Sequence, residues 1–236
     1  MVNYLMKAEN NQKRSARQVV FAFFSKGSCL DNVDECVNIY KDIGRYEFSL
    51  KAVEKDDIDV CQIASYCRKS INAPCPTTDR SLLYNALAHK SKNVIQWLLS
   101  HNELKIVPAD IFDHLEFLAQ EDYLFERLVS RLGNNINMQD QSLCTLLHHY
   151  VLKNDFERVV YLLKQKSIDV NVPDSLYNTP LHYATECGYD LMIILLITHQ
   201  SINREKRDLF GRTALDIARQ KNDMHLTGLL EGAKAV

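Results

Sequence analysis

The chain has 236 residues, of which 46% are hydrophobic and 25% charged, with a formal net charge of −2. That length and balance support a buried core of globular type and exclude the strongly basic surface that nucleic-acid binding uses. With only 7 Gly and 5 Pro, a low-complexity linker and a turn-rich β-protein are excluded as well.

Residues 1–14 are polar and aperiodic and are expected to be loosely held. Residues 15–78 read as an N-terminal helical cap or degenerate repeats. Val19, Val20, Phe23 and Phe24 form a helical stripe that Gly27 closes; Asp31 opens a second, with Val33, Cys36, Val37 and Tyr40, which Gly44 ends. The run Val19 to Phe24 is too short for a signal peptide and Lys26 interrupts it. Ala52, Asp57, Val60-Cys61 and Ile63-Ala64 keep a helix-pair spacing, and Pro74-Cys75-Pro76 then breaks helix.

Residues 79–136 read as divergent repeats. Ser81-Leu82-Leu83-Tyr84-Asn85-Ala86 begins one, with Val94 to Leu99 as its second helix. Residues 108–132 give two short amphipathic helices without a recognisable signature. In residues 137–236 the phrase is clear: Thr145-Leu146-Leu147-His148, then Thr179-Pro180-Leu181-His182-Tyr183-Ala184, then Thr213-Ala214-Leu215-Asp216-Ile217-Ala218. The threonines are 34 residues apart, and Asp140, Asp174 and Asp208 each stand five before them. A fixed period of this length marks a stacked array rather than one globular core. The apolar run Leu191 to Ile197 is far short of the roughly 20 residues of a membrane span and is expected to be a buried helix face. No membrane insertion is expected.

T-P-L-H-x-A at 179–184 resembles the ankyrin repeat. The resemblance implies an all-α solenoid of stacked helix-turn-helix pairs with short hairpin tips. Thr145, Thr179 and Thr213 then fall at helix starts, Pro180 in a first turn, and Gly188 in a left-handed turn between helices. It further implies that His148 and His182 bond turn backbone and that the three aspartates cap hairpins. Ala86, Ala184 and Ala218 would let inner helices approach closely, and leucine pairs would fill the layer behind them. Lys90 and Asn154 stand where Gly188 does and predict strain there.

Catalytic constellations are weak. All eight histidines lie at position 89 or beyond, so residues 1–88 hold no complete Cys-His or Ser-His site. Cys144 and His148 sit four apart, but a hairpin cysteine beside a structural histidine is the favoured reading. The seven cysteines are odd in number and read as reduced core residues of an intracellular protein. Zinc spacing and phosphate-binding glycine loops are missing, and His148-His149 is a poor metal pair. No metal and no cofactor are expected.

The resemblance implies a non-catalytic module that binds a protein partner through its concave face and tips, monomeric when free. Apolar tips single out Leu176, Tyr177, Leu209 and Phe210, with Lys153, Tyr183 and Glu186 projecting from inner helices in the same region. Leu209 and Phe210 packing against a neighbouring hairpin is the competing reading. The divergent repeats also resemble ankyrin effectors that intracellular bacteria deliver into a host cytoplasm; a regulatory subunit of a eukaryotic cytoplasm or a viral mimic of one stays open. The alternative is an enzyme with its activity in the N-terminal helices and the repeats as substrate adaptor.

Overall fold

The computed structural model describes residues 79–232 without a break, together with residues 53, 54, 56, 71, 72 and 74. The readings for residues 1–52 and 57–70, including the first helix pair, lie outside the described residues. The chain divides into two compact units, Met1–Leu124 and Phe125–Val236.

In the first unit, α1 (Leu82–Ala88) pairs with α2 (Lys92–Leu99) and packs on α3 (Pro108–Phe112), which α4 (Leu115–Leu118) follows. Ser81 caps α1, its hydroxyl accepting the Tyr84 N–H at 2.8 Å. The start of α2 is capped from a distance: Asp56 accepts the N–H groups of Asn93 at 3.1 Å and Val94 at 2.9 Å. A signature thought lost is partly present at Val107-Pro108-Ala109-Asp110. Pro108 opens α3 as Pro180 opens its own helix, and Asp110 accepts the Val107 N–H at 2.9 Å and the Ser81 hydroxyl at 2.5 Å. Burial holds the Asp110 carboxyl above its ordinary pKa. What is missing before α3 is a hairpin tip.

α5 (Asp122–Leu132) crosses the division between the units. In the second unit a 3-10 turn, Gly133–Asn137, leads to three helix pairs: α6 (Leu146–Leu152) with α7 (Phe156–Leu163), α8 (Pro180–Cys187) with α9 (Asp190–Ile197), and α10 (Ala214–Gln220) with α11 (Met224–Gly232). The inner helices α6, α8 and α10 stack in order. The last helix runs through Gly232. Connections from an outer helix to the next inner one span sixteen residues at 164–179 and again at 198–213, against eight at 100–107. Those longer connections carry the projecting tips.

Each pair turns through a left-handed residue at the same repeat position: Lys90 (φ 57°), Asn154 (54°), Gly188 (72°) and Asn222 (55°). A residue with a Cβ pays about 1–2 kcal/mol there, so Lys90 carries the strain, while glycine or asparagine relieves it. The turns close identically, with Ser91, Asp155, Tyr189 and Asp223 N–H groups bonding the carbonyls of Ala86, Tyr150, Ala184 and Ala218. Leu147, Val151, Leu162, Leu181, Ile193 and Leu196 are buried between the layers, each contributing about 1.5–3 kcal/mol.

Two expectations are corrected here. The run Leu191 to Ile197 is not a wholly buried face: Met192, Ile193, Leu196 and Ile197 are buried, but Leu191 is 70% exposed and Ile194 is exposed too. Seven consecutive apolar residues wrap a 3.6-residue helix completely, so one side must face out. Among the cysteines, Cys144 is buried but Cys187 lies exposed at the end of α8 rather than in the core.

Tyr150 occupies the position held by alanine at 86, 184 and 218. It is fully buried, edge-on to Phe125 at 5.3 Å, and its hydroxyl has no partner among the described residues. Burial raises its pKa. Removing an unsatisfied buried hydroxyl relieves a desolvation cost, so Tyr150→Phe is expected to stabilise the fold by about 1 kcal/mol in urea denaturation. A loss of stability would reveal a partner for that hydroxyl.

Candidate recognition surface

Three tips, residues 139–145, 173–179 and 207–213, are built to one plan. A carboxylate oxygen of the leading aspartate accepts two backbone N–H groups ahead of it. For Asp140 these are Ser142 at 2.8 Å and Cys144 at 2.9 Å; for Asp174, Leu176 at 2.8 Å and Asn178 at 2.7 Å; for Asp208, Phe210 at 2.9 Å and Arg212 at 2.8 Å. This is the short-range turn chemistry of aspartate. The other oxygen takes a different partner in each tip: His149 Nε2 at 2.8 Å, the Tyr183 hydroxyl at 2.5 Å and Arg212 Nε at 2.8 Å. Burial alone would raise the pKa of Asp140 and Asp208. The N–H bonds and the neighbouring imidazole or guanidinium outweigh it and hold both below the ordinary carboxylate value.

Histidines join each inner helix to the following tip. His148 Nδ1 accepts the Thr145 N–H at 3.1 Å, which fixes the neutral tautomer protonated on Nε2, and Nε2 donates to the Asn178 carbonyl at 3.1 Å. His182 repeats the pattern, with Nδ1 on the Thr179 N–H and Nε2 on the Arg212 carbonyl, both at 3.1 Å. Burial pushes the His148 pKa down to about 4 and lowers that of His182. At the third position Asp216 keeps the capping half of the role, accepting the Thr213 N–H at 2.9 Å. As a carboxylate it has no proton to pass onward.

Backbone bonds then set the tips side by side: Ser175 N–H to the Ser142 carbonyl at 3.0 Å, and Leu209 N–H to the Leu176 carbonyl at 2.9 Å. Below them an asparagine ladder does the same. Asn137 donates to the Ser167 carbonyl and accepts the Asp169 N–H, at 2.7 and 2.9 Å; Asn171 bonds Ser201 and Asn203 likewise, both at 2.7 Å.

The tips are therefore rigid, and their summits are apolar. Leu176, Tyr177 and Leu209 are exposed, and Phe210 is 75% exposed with Arg212 over its ring, 5.1 Å away. Leu209 and Phe210 thus point out rather than into the neighbouring hairpin. Leu143 belongs to the same ridge and was missed. It is exposed and sits at φ 60°, as Tyr177 does, where the third tip has Gly211 at 75°. Aligning the tips at 34 residues exposes the substitution: two bulky side chains stand where glycine is cheapest.

Lys153 and Glu186 do not join the ridge, contrary to expectation. Lys153 closes α6 and Glu186 lies in the last turn of α8, at the ends opposite the tips. A helix of this length separates them by about 10 Å at 1.5 Å per residue. Lys221 Nζ bonds the Glu186 carbonyl. Tyr183 is half-buried, with its hydroxyl committed to Asp174.

Burial pushes the Cys144 thiol up to about 11, and both His148 nitrogens are occupied, so this pair does not make an activated nucleophile. His149 is likewise spent on Asp140. Among the described residues no three His, Cys, Asp or Glu side chains cluster as metal ligands, and no helix is long and apolar enough to cross a membrane.

Residues 115–208 match the family model for ankyrin repeats, with three copies. The chain is also similar to ankyrin repeat protein FPV224 of Fowlpox virus (strain NVSL). The two are 35% identical over 106 residues, which covers 42% of this chain and 70% of the relative. The helix pairs, the tip chemistry and both comparisons agree: the chain belongs to the ankyrin repeat family.

Proposed function

We propose that this protein is a non-catalytic recognition module that holds a protein partner on the ridge formed by Leu143, Leu176, Tyr177, Leu209 and Phe210. The observation that carries this reading is the combination of rigidity and exposure. Large apolar side chains sit in solvent on tips cross-linked by backbone bonds, where polar residues would cost nothing. A rigid scaffold spends little ordering entropy on binding. The inner-helix residues Lys153, Tyr183 and Glu186 form a flanking surface at most. Residues 79–136 act as supporting repeats and 137–236 as the recognition block. The likeness to a viral protein supports a host-cell setting. The partner is then a host cytoplasmic protein, whether the chain serves as a delivered effector or as a viral mimic.

The test is a pull-down from eukaryotic lysate with wild type and a Leu209→Asp/Phe210→Asp variant, both shown folded by circular dichroism. Loss of a retained protein by the variant is the expected result. Retention of the same partners by both moves the interface away from the tips.

A further inference from the structure

The ridge is not uniform, and its third tip differs in two respects that specify a partner. First, the tip ladder has an open end. The carbonyls of Ser142 and Leu176 each receive an N–H from the following tip; the equivalent carbonyl, on exposed Phe210, meets no N–H among the described residues. An unpaired backbone acceptor beside exposed apolar side chains is the arrangement onto which an extended segment adds. Leu209 and Phe210 are 56% and 75% exposed, against 47% and 57% for Leu176 and Tyr177 on the tip before.

Second, positive charge is confined to this tip. Tip 207–213 contains two Arg and one Asp, within a stretch, 203–221, of six Lys or Arg against three Asp or Glu, while tips 139–145 and 173–179 each contain one aspartate and no cation. The Asp208 and Asp216 carboxylates accept backbone N–H groups within the tip and also pair with Arg212 at 2.7 Å and, more loosely, Arg207 at 3.6 Å, which leaves the cations in excess. Beside it lies a cavity of about 230 Å³ lined by three arginines, Arg204, Arg207 and Arg219, against two acids, Glu205 and Asp216, with Ala214 and Leu215 among its apolar lining. Arg207 ties the cavity to the tip, its Nη1 bonding the Gly211 carbonyl at 2.6 Å. Arg219 makes an exposed pair with Glu231, a kind of contact worth about 0–1 kcal/mol and readily exchanged.

Resting on the recognition reading above, we propose that the partner presents an extended acidic segment that adds to the tip ladder at Phe210. Its backbone donates to the Phe210 carbonyl and an apolar side chain seats on Leu209 and Phe210. Its carboxylates meet Arg204, Arg207 and Arg219, whose planar forks suit them.

Panning displayed random dodecapeptides on the full chain tests this. The expected winners combine an aromatic or aliphatic residue with flanking Asp or Glu. Synthetic winners should bind about tenfold more weakly to Arg219→Glu and to Phe210→Asp, and more weakly as salt rises. Winners without acidic residues, or indifferent to Arg219→Glu, overturn the acidic segment; if they still depend on Phe210, the recognition reading stands. An absence of any enriched peptide overturns the extended segment, and the lysate comparison then decides the recognition reading by itself. A dimer of the free chain, abolished by Phe210→Asp in light scattering, assigns the edge to a second copy and also overturns the inference.

Discussion

His148→Ala is expected to lower the unfolding free energy by about 3–5 kcal/mol at neutral pH, a large share of the 5–15 kcal/mol typical of a folded domain. The imidazole is fully buried and joins two repeats. Its removal strands the Thr145 N–H, which costs about 1–3 kcal/mol unsatisfied in the interior, and takes one of two bonds from the Asn178 carbonyl, which keeps the Asp174 N–H at 2.9 Å. It also leaves a cavity beside the ring edge of Tyr183, whose centroid lies 5.9 Å away. The loss falls on an interface between neighbours, which in a repeat array carries much of the cooperativity. Urea titration followed by circular dichroism gives the magnitude, and hydrogen exchange at residues 174–179 shows whether the second tip loosens. A loss below about 1 kcal/mol would mean that water takes over both bonds and that the bridge does not hold the tip.

The parts legible in the sequence are those whose chemistry is local. Asp140, Asp174 and Asp208 bond N–H groups two and four residues on, and Thr145, Thr179 and Thr213 begin helices three residues before their capping partners. Such motifs must recur at fixed spacing, and the 34-residue period follows from them. The parts not legible depend on which repeats are neighbours. The repeat at Pro108 has neither the tip nor the histidine, so its remaining proline and Asp110 gave no recognisable signature and only two short amphipathic helices could be read there. Asn72 holds the Glu103 carbonyl and the Lys105 N–H at 2.8 and 2.7 Å, a ladder rung whose partners lie more than thirty residues on. Lys153 and Glu186 were grouped with the tips as residues projecting from the inner helices of the same repeats. Only the length of α6 and α8 shows that a side chain at the far end of an inner helix cannot reach them. Leu143 was recoverable, since it aligns with Tyr177 and Gly211.

Acid should weaken the fold in two stages, and the first belongs to the histidines. The folded pKa of His148, about 4, lies below the ordinary value of 6.5 because burial disfavours the imidazolium, and that of His182 is lowered for the same reason. Between those values the unfolded chain binds more protons than the folded one. The stabilisation is therefore complete above about pH 6.5 and is lost as pH falls toward about 4. At 1.36 kcal/mol per unit, His148 contributes about 3 kcal/mol to that decline. Protonation of Nδ1 would also set two donors, the imidazolium and the Thr145 N–H, against each other. Below about pH 4 the second stage begins, as Asp140, Asp208 and Asp216, all with lowered pKa values, take up protons and release their N–H partners. Asp110, raised by burial, works the other way and earlier: its proton uptake returns some stability as pH falls toward about 4, against the histidine stage rather than the carboxylate one. Urea midpoints for wild type and His148→Ala at several pH values between 7.5 and 4.5 separate the contributions. The wild type should lose stability steeply across that range and the variant much less, because its titrating imidazole is gone. Parallel slopes would assign the loss to other groups and remove His148 as the acid-sensitive joint between a helix and the tip it carries.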